Sequence, residues 1–147
     1  MTNQQPHSNW ISKAESIHFE TRAFIGGDYR TSNGKDIYTT VNPATERELA
    51  TFIDADGNSI DRAVAAARKA FFHWRLIAPD QRKSLLLTVA NQVEADRETL
   101  ALLDCLEMGM PISMALEQVD IVVALIRYNA ELIDKVYGDM APADPAT

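Results

Sequence analysis

Four groups of residues in this 147-residue chain have types that could do chemistry. The single cysteine, Cys105, is the obvious nucleophile. A nucleophilic cysteine needs a nearby base or an electropositive setting to become a thiolate. Its sequence neighbours are Asp104 and Glu107, whose charge opposes ionisation. An apolar-rich helical run surrounds it, which suits a small packed residue. The three histidines, His7, His18 and His73, share no local spacing and stand near no second cysteine. A zinc centre takes four ligands, or three and a water, so none is expected. Asp54-Ala55-Asp56-Gly57-Asn58 looks superficially like a calcium loop. Its glycine falls two positions early, and Ala65 sits where the bidentate acid should be. Gly26-Gly27 lacks the Gly-x-Gly-x-x-Gly spacing of a phosphate cradle and reads as a turn.

The elements that position these residues change character along the chain. Met1 to Asn9 is polar, and Trp10 to Phe19 carries the spacing of a short helix. Ala23-Phe24-Ile25, the glycine pair, Asp28-Tyr29-Arg30 and Asn33-Gly34 predict short antiparallel strands, because Gly and Asn-Gly supply positive φ. Asp36 to Val41 and Leu49 to Ile53 predict two more. Between them, Pro43 has no N–H and pushes Asn42 toward extended backbone, so Asn42-Pro43 turns the chain.

Three long helical patterns follow. The first is capped by Asn58 and carries Ile60, Ala63, Val64, Ala67, Phe71 and Trp74 on one apolar face. The second starts with Pro79 at its first position and buries Leu85, Leu86, Val89 and Val93. Asp96 is a candidate new cap within it, and Gly109 and Pro111 end it. The third runs from Ser113 to Tyr137, with Gly138 as its stop. Residues 139–147 show no pattern. Three apolar faces with so few strands imply that a sheet to cover them comes from further chain.

Composition is near the globular average, with 46% hydrophobic and 24% charged residues. A net charge of -7 opposes binding to nucleic acid or an anionic membrane. The longest apolar run, Ile121 to Ile126, is far short of the roughly 20 residues of a membrane span. One cysteine allows no internal disulfide, and no signal-like apolar core opens the chain, which points to a cytoplasmic protein.

A set of blocks in fixed order carries a resemblance: Phe24-Ile25-Gly26-Gly27-Asp28-Tyr29, Val41-Asn42-Pro43-Ala44-Thr45, Ala63 to Phe71, Trp74, Arg82 with Leu85 to Leu87, Leu106-Glu107-Met108-Gly109-Met110-Pro111, Arg127-Tyr128-Asn129-Ala130 and Asp134 to Gly138. In order and spacing they resemble the N-terminal part of NAD(P)-dependent aldehyde dehydrogenases. The opening, Asn9-Trp10 with Lys13-Ala14 and Glu20-x-Arg22-x-Phe24-Ile25, is most similar to the branch acting on γ-glutamyl-γ-aminobutyraldehyde and related ω-amino aldehydes.

The resemblance implies an α/β parent fold with a Rossmann-like cofactor domain. This segment would be its mainly α portion, three long helices preceded by short antiparallel strands. Residues 1–22 would be an N-terminal extension, 23–138 the start of the cofactor-binding domain and 139–147 a truncated tail. The parent would be a homo-oligomeric oxidoreductase that turns a small-molecule aldehyde into an acid through a cysteine thiohemiacetal, with hydride passing to NAD or NADP. Its nucleophile, base, oxyanion-stabilising asparagine and ribose-contacting lysine match no residue here, so the segment is expected to be inactive and to bind no cofactor well. Two lesser roles carry over. The family's monovalent cation site matches Thr40, Val41 and Glu107, and its substrate entrance matches Gln118 and Ile121. The family turn usually has Asn or Thr, Gly and Lys before Pro; here it is Met108-Gly109-Met110-Pro111. A second reading is a non-catalytic helical module that associates with a full-length subunit.

Overall fold

The computed structural model describes residues 7–135. A short helix, α1 (His7–Glu15), precedes four strands, β1 (Ala23–Ile25), β2 (Asp28–Arg30), β3 (Ile37–Val41) and β4 (Glu48–Ile53). Four long helices follow, α2 (Gly57–Trp74), α3 (Pro79–Ala95), α4 (Arg97–Met108) and α5 (Ile112–Leu132). The strands form two separate antiparallel pairs, β1 with β2 and β3 with β4.

The β1–β2 turn is Gly26-Gly27, at φ 65° and 97°, with Ile25 paired to Asp28. Both positions lie in the left-handed region that a two-residue hairpin demands and glycine tolerates. Phe24 and Tyr29 pair across the strands edge-to-face at 5.1 Å. In the second hairpin, Tyr38 stacks on Phe52 at 5.9 Å. Its turn runs through Asn42-Pro43. Asn42 Oδ1 accepts from the Ala44 amide at 2.9 Å, and the Asn42 carbonyl accepts from Glu46 N at 2.7 Å. Glu46 closes the loop at φ 58°. The register shifts between Thr40 and Val41, as at a β-bulge.

Several element boundaries differ from the sequence expectation. α1 begins at His7, before Trp10, and stops at Glu15 rather than at Phe19. Ser16 ends it by sending both its amide and its Oγ to the Lys13 carbonyl. Asp56, not Asn58, caps α2. Its Oδ1 accepts from Ser59 N at 2.8 Å, and its extended backbone (ψ 164°) leads into the first turn. An anionic cap also complements the positive helix end. The second helical pattern is two helices, α3 and α4, broken at Asp96 (φ -91°, ψ 12°). The Asp96 side chain makes no cap bond and instead accepts from Gln92 Nε2. α5 ends at Leu132, where Lys135 N closes a tighter turn on the Leu132 carbonyl. The expected continuation through Val136 and Tyr137 to Gly138 lies outside the described residues.

The core is made by α3, α4 and α5. Ala90, Ala101, Ala115, Val119 and Val123 form its buried cluster, with Val93, Leu100, Met110 and Ile126 packed around it. Small residues at Ala90, Ala101 and Ala115, all 0% exposed, let the three helices approach closely. α3 therefore buries Ala90 and half-buries Leu86 and Val93, while Leu85 and Val89 face outward, one step round from the expected stripe. The expected face of α2 is open: Ile60, Val64, Phe71 and Trp74 are all exposed. Ion pairs tie the bundle edges, Lys83 with Glu131 and Arg127 with Glu94, both at 2.7 Å. Lys13 of α1 pairs with Glu98 of α4. Surface pairs of this kind contribute about 0.2–1 kcal/mol each. No helix among the described residues is long and apolar enough to cross a membrane.

Candidate functional site

The α4–α5 turn and the β3–β4 hairpin meet, and their meeting makes a site. α4 ends at Gly109, whose φ of 72° is left-handed and whose N–H donates to the Cys105 carbonyl at 3.1 Å. A Cβ on Gly109 would stand 3.0 Å from Pro43 Cγ. The absence of a side chain thus lets the hairpin turn sit against the helix end. Glu107, two residues earlier in the last turn of α4, lines the same cleft as Thr40 of β3.

Thr40 and Glu107 line one open cleft of about 550 Å³. Glu20, Arg22, Ser32 and Asp54 line it too. Glu20 and Arg22 form a fork-to-fork pair, with Arg22 Nε and Nη2 donating at 2.8 and 2.6 Å. The Arg22 side chain and amide pull the Glu20 pKa down to about 2 and hold the carboxylate ionised. That pair is neutral overall, so Asp54 and Glu107 leave the cleft with net negative charge. The cleft chemistry therefore suits a cation bound by hard oxygens. Val41 follows Thr40 across the bulge and is not among the lining residues. Among the described residues, no three His, Cys, Asp or Glu side chains converge as a metal set.

Gln118 and Ile121 lie elsewhere, on the open side of α5. Met114, Ile121, Leu125 and Tyr128 are exposed along that side at helical spacing, with Gln118 among them. The buried residues Ala115, Val119, Val123 and Ala130 occupy the opposite side. Cys105 is partly buried on α4, and burial pushes its thiol pKa up, away from a nucleophile. Sequence reasoning missed Glu20, Arg22 and Asp54 as cleft residues. Alternation in an extended segment puts Glu20 and Arg22 on one face, which was the available signal. Asp54 had none, because a fold of the chain over Gly34 brings it there.

No cradle for a dinucleotide is present among the described residues. Both sheets are antiparallel hairpins, and Gly26-Gly27 turns a hairpin rather than opening a helix.

The aldehyde dehydrogenase family model matches residues 29–147. The chain belongs to the aldehyde dehydrogenase family. It is 40% identical over 135 residues to the NADP/NAD-dependent aldehyde dehydrogenase PuuC of Escherichia coli, covering 90% of this chain and 27% of that enzyme. It is 34% identical to the aminoacetaldehyde dehydrogenase of Pseudomonas aeruginosa, over 99% of this chain and 30% of that one. The fold matches the γ-glutamyl-γ-aminobutyraldehyde dehydrogenase of Burkholderia cenocepacia with a TM-score of 0.87 and 37% identity, over 93% of this chain and 28% of that one. It matches the indole-3-acetaldehyde dehydrogenase AldA of P. syringae, solved with NAD+, at a TM-score of 0.89 and 33% identity, over 97% and 29%. This aldehyde dehydrogenase chain thus spans less than a third of the length of these relatives.

Proposed function

We propose that this chain is the N-terminal scaffold portion of a cytoplasmic, homo-oligomeric subunit that oxidises a small aldehyde to a carboxylic acid with NAD or NADP. The 40% identity over 90% of the chain to the E. coli enzyme carries this reading. The similarity to enzymes named for amino aldehydes favours an ω-amino or γ-glutamyl amino aldehyde as substrate. In this reading residues 23–138 begin the cofactor-binding domain. The segment supplies no catalytic group: Cys105 is a packed helical thiol, and no dinucleotide cradle is built from these residues. Purified alone, the 147-residue chain is expected to form no NAD(P)H from an aldehyde. Aldehyde-dependent NAD(P)H formation by the chain alone would refute that part of the reading.

The site roles follow as part of the same proposal. Carbonyls of Thr40 and Val41 with the Glu107 carboxylate hold a monovalent cation, weakly, because the shell is incomplete. The shared cleft of Thr40 and Glu107 supports this. Potassium should raise Tm over an equal concentration of choline, and Glu107→Gln should abolish the difference. Gln118 and Ile121 border the substrate entrance, supported by their exposure on α5. A second reading rests on the open face of α2, where Ile60, Val64 and Phe71 are exposed. It is a helical module that docks on a full-length subunit without catalysing. Co-purification with such a subunit supports it, and a monodisperse monomer counts against it.

A further inference from the structure

Three of the five methionines fall within seven residues, Met108, Met110 and Met114, astride the α4–α5 turn. They are graded in depth. Met108 is 70% exposed at the end of α4, and Met114 is 51% exposed in the first turns of α5. Met110 lies between them, partly buried and packed against the cluster of Ala90, Ala101, Ala115, Val119 and Val123. A thioether is soft and apolar, fits such a site and is open to peroxides.

The turn around Met110 has little slack. Gly109 is left-handed and within 3.0 Å, measured from its would-be Cβ, of Pro43 Cγ. Pro111 caps the start of α5, with Ala115 N donating to its carbonyl at 3.0 Å. A change in the Met110 side chain is therefore transmitted to Gly109, Pro43 and Glu107. We propose that this turn is a peroxide-sensitive modification site, in which oxidation of Met110, and not of Met108 or Met114, loosens the turn from the hairpin.

The step balances. The Met110 sulfur lone pair takes one oxygen of hydrogen peroxide as the O–O bond breaks and an S=O bond forms. The proton of the transferred oxygen passes to the departing hydroxide, which leaves as water. Sulfur is oxidised by two electrons, and the peroxide is reduced by two. The resulting sulfoxide is polar and sits among alanine and valine side chains that offer it no donor, so it is driven outward. At Met108 and Met114 the sulfoxide faces water and disturbs nothing, so both act as outer scavengers. None of this depends on aldehyde oxidation.

Graded hydrogen peroxide on the 147-residue chain tests the site, with peptide masses for each methionine and Tm by circular dichroism. Met108 and Met114 should gain oxygen before Met110. Tm should hold until Met110 converts and then fall by about 5 °C. Met110→Leu should keep its Tm at the same dose, and the Met108→Leu/Met114→Leu variant should lose it as the parent does. Oxidation of Met1, Met140 and Cys105 is common to all variants and is read from the same masses. The proposal fails if Met110 stays unmodified while the outer pair is fully converted. It fails equally if Met110 converts without a Tm change, or if Met110→Leu loses as much as the parent.

Discussion

Gly109 closes against Pro43 so tightly that a Cβ at Gly109 would come within 3.0 Å of Pro43 Cγ. This contact joins two elements far apart in sequence, the β3–β4 hairpin and the end of α4. It sets Glu107 and Thr40 on one cleft. Gly109→Ala should therefore cost about 2 kcal/mol, from left-handed strain and from the crowded proline. Urea unfolding measures it. Adding Pro43→Ala should recover only the crowding share, leaving the strain.

A second glycine is under a harder constraint. A Cβ on Gly34 would fall 1.4 Å from Asp54 Oδ1 and 2.4 Å from the Asp54 carbonyl oxygen. The side chain could swing away, but the backbone oxygen cannot. That backbone is held by the Asp54 amide donating to the Asp36 carbonyl at 3.0 Å. Gly34→Ala should cost roughly 3 kcal/mol by overpacking. Asp54→Ala in the same chain should restore only part of it. Full restoration would show that the carbonyl contact is unimportant.

Acid should weaken the fold through identifiable carboxylates. Arg97 grips Asp120 through Nε and Nη2 at 2.6 and 2.7 Å, which lowers the Asp120 pKa below 3.8. Glu20 is lowered from 4.5 to about 2 by Arg22. A carboxyl with a depressed folded pKa stabilises above its unfolded pKa. That stability is lost as pH falls through the folded value. Tm should thus decline from about pH 4.5 downward and continue to decline toward pH 2. Asp120 is half exposed, so the Arg97 pair is worth only about 0.2–1 kcal/mol. Asp120→Asn should flatten the decline below about pH 3.8 and leave its onset unchanged, and added salt should shrink the effect.

The Asn42 turn offers a paired test. Its Oδ1 bond to the Ala44 amide is neutral and exposed, so Asn42→Ala should cost about 1 kcal/mol. Glu46 holds φ 58° without being glycine. Glu46→Gly should relieve that strain and be neutral to about 1 kcal/mol stabilising, the gain reduced by the freer unfolded chain. A hairpin unchanged by Asn42→Ala would show that Pro43 alone sets the turn.

Local signals were legible wherever backbone chemistry dictates geometry. Gly26-Gly27, Asn42-Pro43, Pro79 and Gly109 each mark a boundary that the fold keeps. Periodicity located the long helices but misjudged which faces are buried. Leu85 and Val89 lose to Ala90, because alanines let α3 and α5 approach more closely than leucines could. The face of α2 was legible as apolar, yet Ile60 and Phe71 stay more than half exposed among the described residues. The cleft was only half legible. Thr40 and Glu107 could be named from a family resemblance, but Asp54 joins them through a loop crossing that no spacing records.

The central claim is that this chain scaffolds an aldehyde-oxidising subunit while carrying none of its chemistry. It is tested most directly in a chimera, with this chain replacing the matching portion of the E. coli relative. The measurement is aldehyde-dependent NAD(P)H formation. A folded chimera that oxidises an ω-amino aldehyde is the expected result. A folded, correctly assembled chimera with no turnover would contradict the account.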